Sequence, residues 1–269
     1  MWQKNCYRIV VKVGTSTLTH DSGAANLYSI ERLTRVLADL EGYGHEVILV
    51  TSGAISVGTS KMSLKERPKE LRMKQAAAAV GQCQLMHLYD KFFSEYNRGV
   101  AQILLTDKDV EDPIRAEHLS GTFSALLQMG IIPIVNENDS VSSAEIETGA
   151  SKVLGDNDTL SAIVAKLTGA DLLILLSDID GLFDKDPHKF SDAKPVHVVR
   201  DIEAVEQMAG GAGTKHGTGG MVTKISAAKI ATEAGCDMVI TNGTRPENIY
   251  DIVNGVEIGT RFIGKHKGE

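Results

Sequence analysis

Six apolar runs rich in β-branched residues punctuate the chain: "YRIVVKVGT" from Tyr7, "EVILVTSG" from Glu46, "VAQILLTDKD" from Val100, "IIPIVNENDS" from Ile131, "DLLILLSDIDG" from Asp171 and "DMVITNG" from Asp237. Their apolar residues are consecutive rather than alternating. That pattern predicts strands of a parallel sheet covered on both faces by helices. The intervening segments fit the helices: Ile30, Leu33, Leu37 and Leu40 form one stripe at spacings of three and four, and Leu160, Ile163, Val164 and Leu167 form another. Strand alternating with helix predicts an α/β body. No repeat, low-complexity tract or interdomain linker is visible; "ETGASKVLG" and "DKDPHKFSDAKP" read as loops or hairpins inserted into it.

Polarity appears where four of these strands end, at Thr51-Ser52-Gly53, Thr106-Asp107, Asn136-Glu137-Asn138-Asp139 and Ser177-Asp178. Ligands of open α/β sheets bind outside the carboxyl ends of the strands, so the four bursts are expected to meet at one crevice. The alternative is turn chemistry alone, since Ser, Asp, Asn and Gly also favour turns.

Three places break local rules. Lys12 interrupts an apolar strand, and a lysine is almost never buried without a partner. An anion at the strand end resolves the conflict, as does an edge strand from which Lys12 reaches water. The stretch "GTKHGTGGMVTK", Gly213 to Lys224, leads into a helix carrying Met221, Ile225, Ala228 and Ala231. Glycines there allow backbone N–H groups to approach a phosphate, while Lys224, in or near the first turn, opposes the helix dipole unless an anion is bound. A mobile loop with a solvated lysine is the plain alternative. Finally, Asp156, Asn157 and Asp158 crowd one helix entrance that a single cap would satisfy.

Neither G-x-x-x-x-G-K-[ST] nor a strand followed by G-x-G-x-x-G occurs, so P-loop and dinucleotide folds are disfavoured. "GYGHEV" at Gly42 follows a helix and reads as a turn. The chain of 269 residues is 42% hydrophobic and 23% charged, ordinary for a folded protein. No apolar run approaches the roughly 20 residues that cross a bilayer, and no signal-peptide pattern opens the chain, so a cytoplasmic protein with no membrane contact is expected. A net charge of −7 argues against a nucleic-acid surface. Cys6, Cys83 and Cys236 lack metal or redox spacing and are expected as reduced core residues.

"VVKVGTS", "VTSGAI", "NENDSV", "GDND" and "GTGGMVTK", in that order over nearly the whole chain, resemble the amino acid kinase family in its glutamate 5-kinase branch. The resemblance implies a single domain over 1–269: a three-layer αβα sandwich on a mainly parallel sheet, as in carbamate kinase. The amino acid would bind toward about 1–170 and the nucleotide toward about 171–269. It implies phosphorylation of the L-glutamate γ-carboxylate by ATP with Mg2+, the first step of proline biosynthesis. By matching motif positions, Lys12 and Lys224 would contact the transferring phosphoryl group and Asp158 would hold them. Ser52, Asp139 and Asn157 would bind glutamate. Ser177, Asp178, Thr218, Gly219, Gly220, Met221, Val222, Thr223 and Lys224, with Lys12, would bind nucleotide.

No general base is required, because a carboxylate is already ionised at neutral pH. His20, His45, His87 and His118 are therefore given no catalytic role, and His216 reads as a loop residue. The resemblance further implies a homo-oligomer and proline as feedback inhibitor. Lys152 is assigned no role, no dedicated protein metal site is expected, and a PUA domain found in many members is not expected here. The rivals are a kinase for acetylglutamate or aspartate, and a catalytically silent amino-acid sensor.

Overall fold

The computed structural model describes residues 6–141, 154, 156–185, 190, 192–203, 205 and 219–265. The apolar runs become the strands expected of them. β1 (Arg8–Val13), β2 (Glu46–Val50), β3 (Gly99–Leu105), β4 (Ile131–Glu137), β5 (Leu172–Ser177) and β9 (Asp237–Asn242) join in one eight-stranded sheet, in the order β3-β4-β2-β1-β5-β9-β10-β8. Its far edge is made by β10 (Thr260–Phe262), antiparallel to β9, and the short β8 (Val198–Val199), parallel to β10. All other pairings in this sheet are parallel. The segment from Asp184 to Lys194 is, where described, a hairpin between β6 (Leu182–Phe183) and β7 (Pro195–Val196).

Helices cover both faces because the strands offer apolar residues to both. On one face Ile9, Val11, Val47, Leu49, Ile132, Ile134, Ile174 and Leu176 pack beneath α2 (Leu27–Gly42), α4 (Leu71–Glu95) and α9 (Asn248–Val253). On the other, Val10, Ile48, Val50, Val135, Leu173 and Leu175 pack beneath α6 (Pro113–Gln128), α7 (Asn157–Thr168) and α8 (Gly219–Glu233). The helical stripes behave accordingly: Ile30, Leu33, Leu37 and Leu40 are fully buried, as are Leu160 and Val164. Short helices α1 (Thr15–Leu18), α3 (Ala54–Lys61) and α5 (Asp107–Glu111) begin immediately beyond the ends of β1, β2 and β3.

Two features of this frame position the site. β1 is central, with Lys12 in register with Val50 on one side and Leu175 on the other, so the edge-strand alternative for Lys12 fails. Side chains alternate along a strand, which puts Lys12 on the face of Val10, the face that carries α7 and α8. The second feature is a backbone-to-backbone crossing of α3 on α4. A Cβ on Gly81 would overlap the carbonyl oxygen of Ala54, and one on Gly58 would overlap that of Ala77, so only glycine permits this approach.

The cysteine expectation holds for Cys236 alone. Cys6 and Cys83 are exposed, Cys83 because it lies on the outward side of α4, next to the inward-facing Gln82. Among the described residues, no helix is long and apolar enough to cross a membrane.

Candidate active site

At the carboxyl ends of β1, β2 and β4, where they face the start of α7, a cleft of about 410 Å3 opens. It is lined by Lys12, Gly14, Thr15, Ser52, Gly53, Ala54, Ile55, Ser56, Arg67, Asn136, Glu137, Asp139, Asp156, Asn157, Asp158 and Thr223. The three polar residues at the entrance of α7 divide the work. Asp156 is the cap: its Oδ1 accepts the backbone N–H groups of Asp158 at 2.7 Å and Thr159 at 3.0 Å. Freed from capping, the next two side chains turn into the cleft.

Asp158 is buried and receives a lysine on each oxygen. Lys12 Nζ stands 2.6 Å from Oδ1 and Lys224 Nζ 3.2 Å from Oδ2. Thr223 Oγ1 lies 3.0 Å from the same Oδ2. Burial alone would push the Asp158 carboxyl up, but the positive charges of Lys12 and Lys224 outweigh it and hold the group below the usual carboxylate range. The two cations are thus gathered around one anion, which lowers their mutual repulsion; at an effective dielectric of 20 a single such contact at 4 Å is worth about 4 kcal/mol.

Lys224 lies not in the first turn of α8 but one turn further in. Helical side chains tilt toward the N-terminus, and its Nζ reaches back to donate to the Gly220 carbonyl at 3.1 Å as well as to Asp158. It is only 7% exposed, so the solvated-lysine alternative fails.

Asn157 is held by backbone. Its Nδ2 donates to the Thr51 carbonyl at 2.9 Å and to Ser52 Oγ at 2.7 Å, with Asn136 Oδ1 further off at 3.3 Å. A carbonyl only accepts, so the amide is oriented with nitrogen toward β2 and Oδ1 left as an acceptor. Ser52 Oγ accepts from Asn157, which leaves its own hydroxyl hydrogen to donate. Gly53 follows at φ +89, a left-handed turn that starts α3 with Ser52 and Ala54 both lining the cleft. Asp139, half-buried beyond β4, completes the set expected for an amino acid.

The remaining expected residues divide. Ser177 is buried at the end of β5 with its hydroxyl donating to Asp178 at 3.0 Å, while Asp178 is exposed; neither lines the 410 Å3 cleft. Gly219, Gly220, Met221 and Val222 form the first turn of α8, with Met221 packed on the core and Val222 exposed. Thr218, His216 and Lys152 lie outside the described residues. The burst at Thr106-Asp107 does not join the cleft: Thr106 and Asp109 form a capping box for α5, and Asp107 accepts the Leu154 N–H at 2.8 Å. His45, half-buried, accepts the Tyr7 N–H at 3.2 Å, a structural task.

Arg67, which belongs to none of the sequence motifs, also lines the cleft, together with Asn136, Glu137 and Asp156. Arg67 sits in the charged run "KERPKE", is exposed, and makes no hydrogen bond or ion pair with any described residue. Among the described residues no group of three or more His, Cys, Asp or Glu side chains is arranged to hold a metal ion.

The profile of the Amino acid kinase family matches residues 7–242. The chain belongs to the amino acid kinase family. It is 54% identical over 267 residues to a glutamate 5-kinase of Clostridium perfringens, covering 99% of this chain and 98% of that one. It is also 54% identical over 257 residues to a glutamate 5-kinase of Caldanaerobacter subterraneus subsp. tengcongensis, covering 95% of this chain and 68% of that longer protein. A solved amino acid kinase fold, carbamate kinase from Giardia lamblia bound to AMP-PNP, superposes with a TM-score of 0.68 at 14% identity, covering 96% of this chain and 99% of that one. The family's three-layer sandwich is the fold described above.

Proposed function

We propose that this chain is a glutamate 5-kinase, which transfers the γ-phosphoryl group of ATP to the γ-carboxylate of L-glutamate and yields L-glutamate 5-phosphate for proline biosynthesis. One observation carries the reading: a chain so similar to glutamate 5-kinases gathers Lys12 and Lys224 on Asp158, beside a cleft lined by Ser52, Asp139 and Asn157.

Phosphoryl transfer asks mainly for positioning and for charge opposite the transferring group. An oxygen of the γ-carboxylate attacks the γ-phosphorus, the bond to the β–γ bridging oxygen breaks, and ADP leaves with that electron pair. Lys12 and Lys224 stabilise the charge on the equatorial and departing oxygens. Asp158 keeps both ammonium groups close before the anion arrives. No proton need be removed from the acceptor, whose carboxylate is ionised at neutral pH.

The amino-acid end is read from donor and acceptor types. Asp139 and Asn157 Oδ1, an acceptor, suit the α-ammonium, and the Ser52 hydroxyl suits a carboxylate. Arg67, the cation in the cleft lining that is not tied to Asp158, suits the α-carboxylate. The resemblance assigns the nucleotide to Ser177, Asp178 and the motif from Thr218 to Lys224, whose hydroxyl and backbone groups suit phosphate and ribose contacts. Mg2+ would arrive with the nucleotide, held by its phosphates and water, and would add neutralisation of the phosphates. Following the likeness to glutamate 5-kinases, the same reading takes the protein to be a cytoplasmic homo-oligomer inhibited by proline.

The test is purified protein with MgATP, hydroxylamine to trap an acyl phosphate as hydroxamate, and L-glutamate, N-acetylglutamate or aspartate in turn. Hydroxamate formed with glutamate supports the reading. Product only with another acceptor, or glutamate binding without turnover, refutes it.

A further inference from the structure

Behind the amino-acid end of the cleft lies a chain of amides whose orientations the backbone fixes. The Glu137 N–H donates to Asn136 Oδ1 at 2.9 Å, so the other end of that side chain is Nδ2, and it donates to Gln82 Oε1 at 2.9 Å. Asn136 Oδ1 also faces Asn157 Nδ2 at 3.3 Å. Gln82 belongs to α4, in one helical layer, and Asn157 to α7, in the other. The amides therefore span the sheet at its carboxyl edge.

Gln82 is 7% exposed, and its Nε2 is buried with no hydrogen-bond partner among the described residues. A buried orphan donor is costly, and an apolar side chain of similar length would avoid it. What Gln82 contributes in return is the acceptor Oε1. Its position is set by its neighbour: Gly81 packs backbone to backbone against Ala54, at the start of α3 and in the cleft lining. The same point on α4 thus carries both the Ser52–Ala54 turn and the Asn136 amide.

We propose that Gln82 is a positioning residue for the amino-acid substrate: by accepting from Asn136 Nδ2 it holds the Asn136 side chain in place, and Asn136 Oδ1 in turn supplements the Thr51 and Ser52 acceptors that fix the Asn157 amide with Oδ1 toward the ligand's ammonium group. It touches no reacting atom, so its effect belongs to substrate binding. The proposal rests on the glutamate kinase reading above.

The experiment compares Gln82→Met, which lacks a strong acceptor, with Gln82→Glu, which keeps one, by steady-state kinetics with glutamate and ATP varied separately and by thermal melting. Gln82→Met exchanges one buried orphan for another, since Asn136 Nδ2 loses its partner as Gln82 Nε2 disappears. Its melting temperature should stay within a few degrees of wild type, while its KM for glutamate rises about tenfold, the usual scale of one lost hydrogen bond. Its kcat and its KM for ATP should change less than about threefold, and Gln82→Glu should keep a KM for glutamate near that of wild type. If Gln82→Met does not fold, Gln82→Ala takes its place, a smaller side chain that also lacks the acceptor. An unchanged KM for glutamate in the acceptor-free variant overturns the proposal, as does a loss confined to kcat or an equal defect in Gln82→Glu. Wild-type protein that does not turn over glutamate would instead refute the kinase reading itself.

Discussion

Lys12 of β1 and Lys224 of α8 contact opposite oxygens of one buried carboxylate, Asp158, at 2.6 and 3.2 Å. In the proposed reaction this pair brackets the charge that passes between nucleotide and acceptor. Replacing either lysine by alanine should lower kcat by on the order of 10²-fold or more, the cost of one preorganised donor. Steady-state assays on folded Lys12→Ala and Lys224→Ala check this, and near-normal turnover in either would count against the bracket.

The same cluster makes a pH prediction. The folded Asp158 carboxyl lies below its ordinary range, because Lys12 and Lys224 outweigh the burial that would raise it. A depressed folded value means that the stability Asp158 contributes is present above the unfolded pKa of about 3.9 and is lost as pH falls through the folded value. Asp158→Asn should cost about 3 kcal/mol at neutral pH, because two cations then share a buried site without their anion. Below about pH 4 the gap between the two proteins should narrow. Denaturant titrations across that range decide it, and a gap that does not change with pH would contradict the ion-paired Asp158.

Arg67 offers a specificity test. If it holds the α-carboxylate, Arg67→Ala should raise the KM for glutamate about tenfold with kcat little changed, the usual scale for a hydrogen bond to a charged group. Discrimination against 4-aminobutyrate, which keeps the reacting carboxylate and lacks the other, should shrink by a similar factor. Unchanged discrimination would remove Arg67 from the site.

The α3–α4 crossing is predicted to be intolerant of a single methyl group. Gly81→Ala drives a Cβ into the Ala54 carbonyl oxygen, and backbone on both sides leaves no flexible group to yield. The cost should be about 3 kcal/mol, seen as a lower denaturation midpoint. Because Ala54 lines the cleft, glutamate binding should weaken with it. A variant as stable as the parent would show that the helices can separate freely.

How much of this was legible beforehand varies with the kind of signal. Lys12 stood out because a charge inside a buried strand breaks a strong local rule, and the Asp156-Asn157-Asp158 entrance because a helix needs one cap rather than three. The strands themselves were legible from continuous apolar runs. Gln82 was not, since in "AAAAVGQCQ" it is one polar residue of a long helix, and only the fold turns it inward while Cys83 faces out. Arg67 hid in a charged run. The partnership of Gly58 with Gly81 depends on which helices cross, as the antiparallel β10 depends on a chain reversal after α9; neither leaves a periodic mark. At Thr106-Asp107 a strand-end burst was turn chemistry after all, because a capping box and a cleft draw on the same residue types.

The most direct test of the lysine bracket is the affinity for a transition-state mimic, MgADP with aluminium fluoride and L-glutamate, measured in wild type, Lys12→Ala and Lys224→Ala beside the affinity for a non-hydrolysable ATP analogue. Wild type should bind the mimic at least about 10²-fold more tightly than the ground-state analogue, and either substitution should erase most of that gain while leaving ground-state binding far less affected. Full retention of the gain in both variants would contradict the assignment of Lys12 and Lys224 to the transferring group.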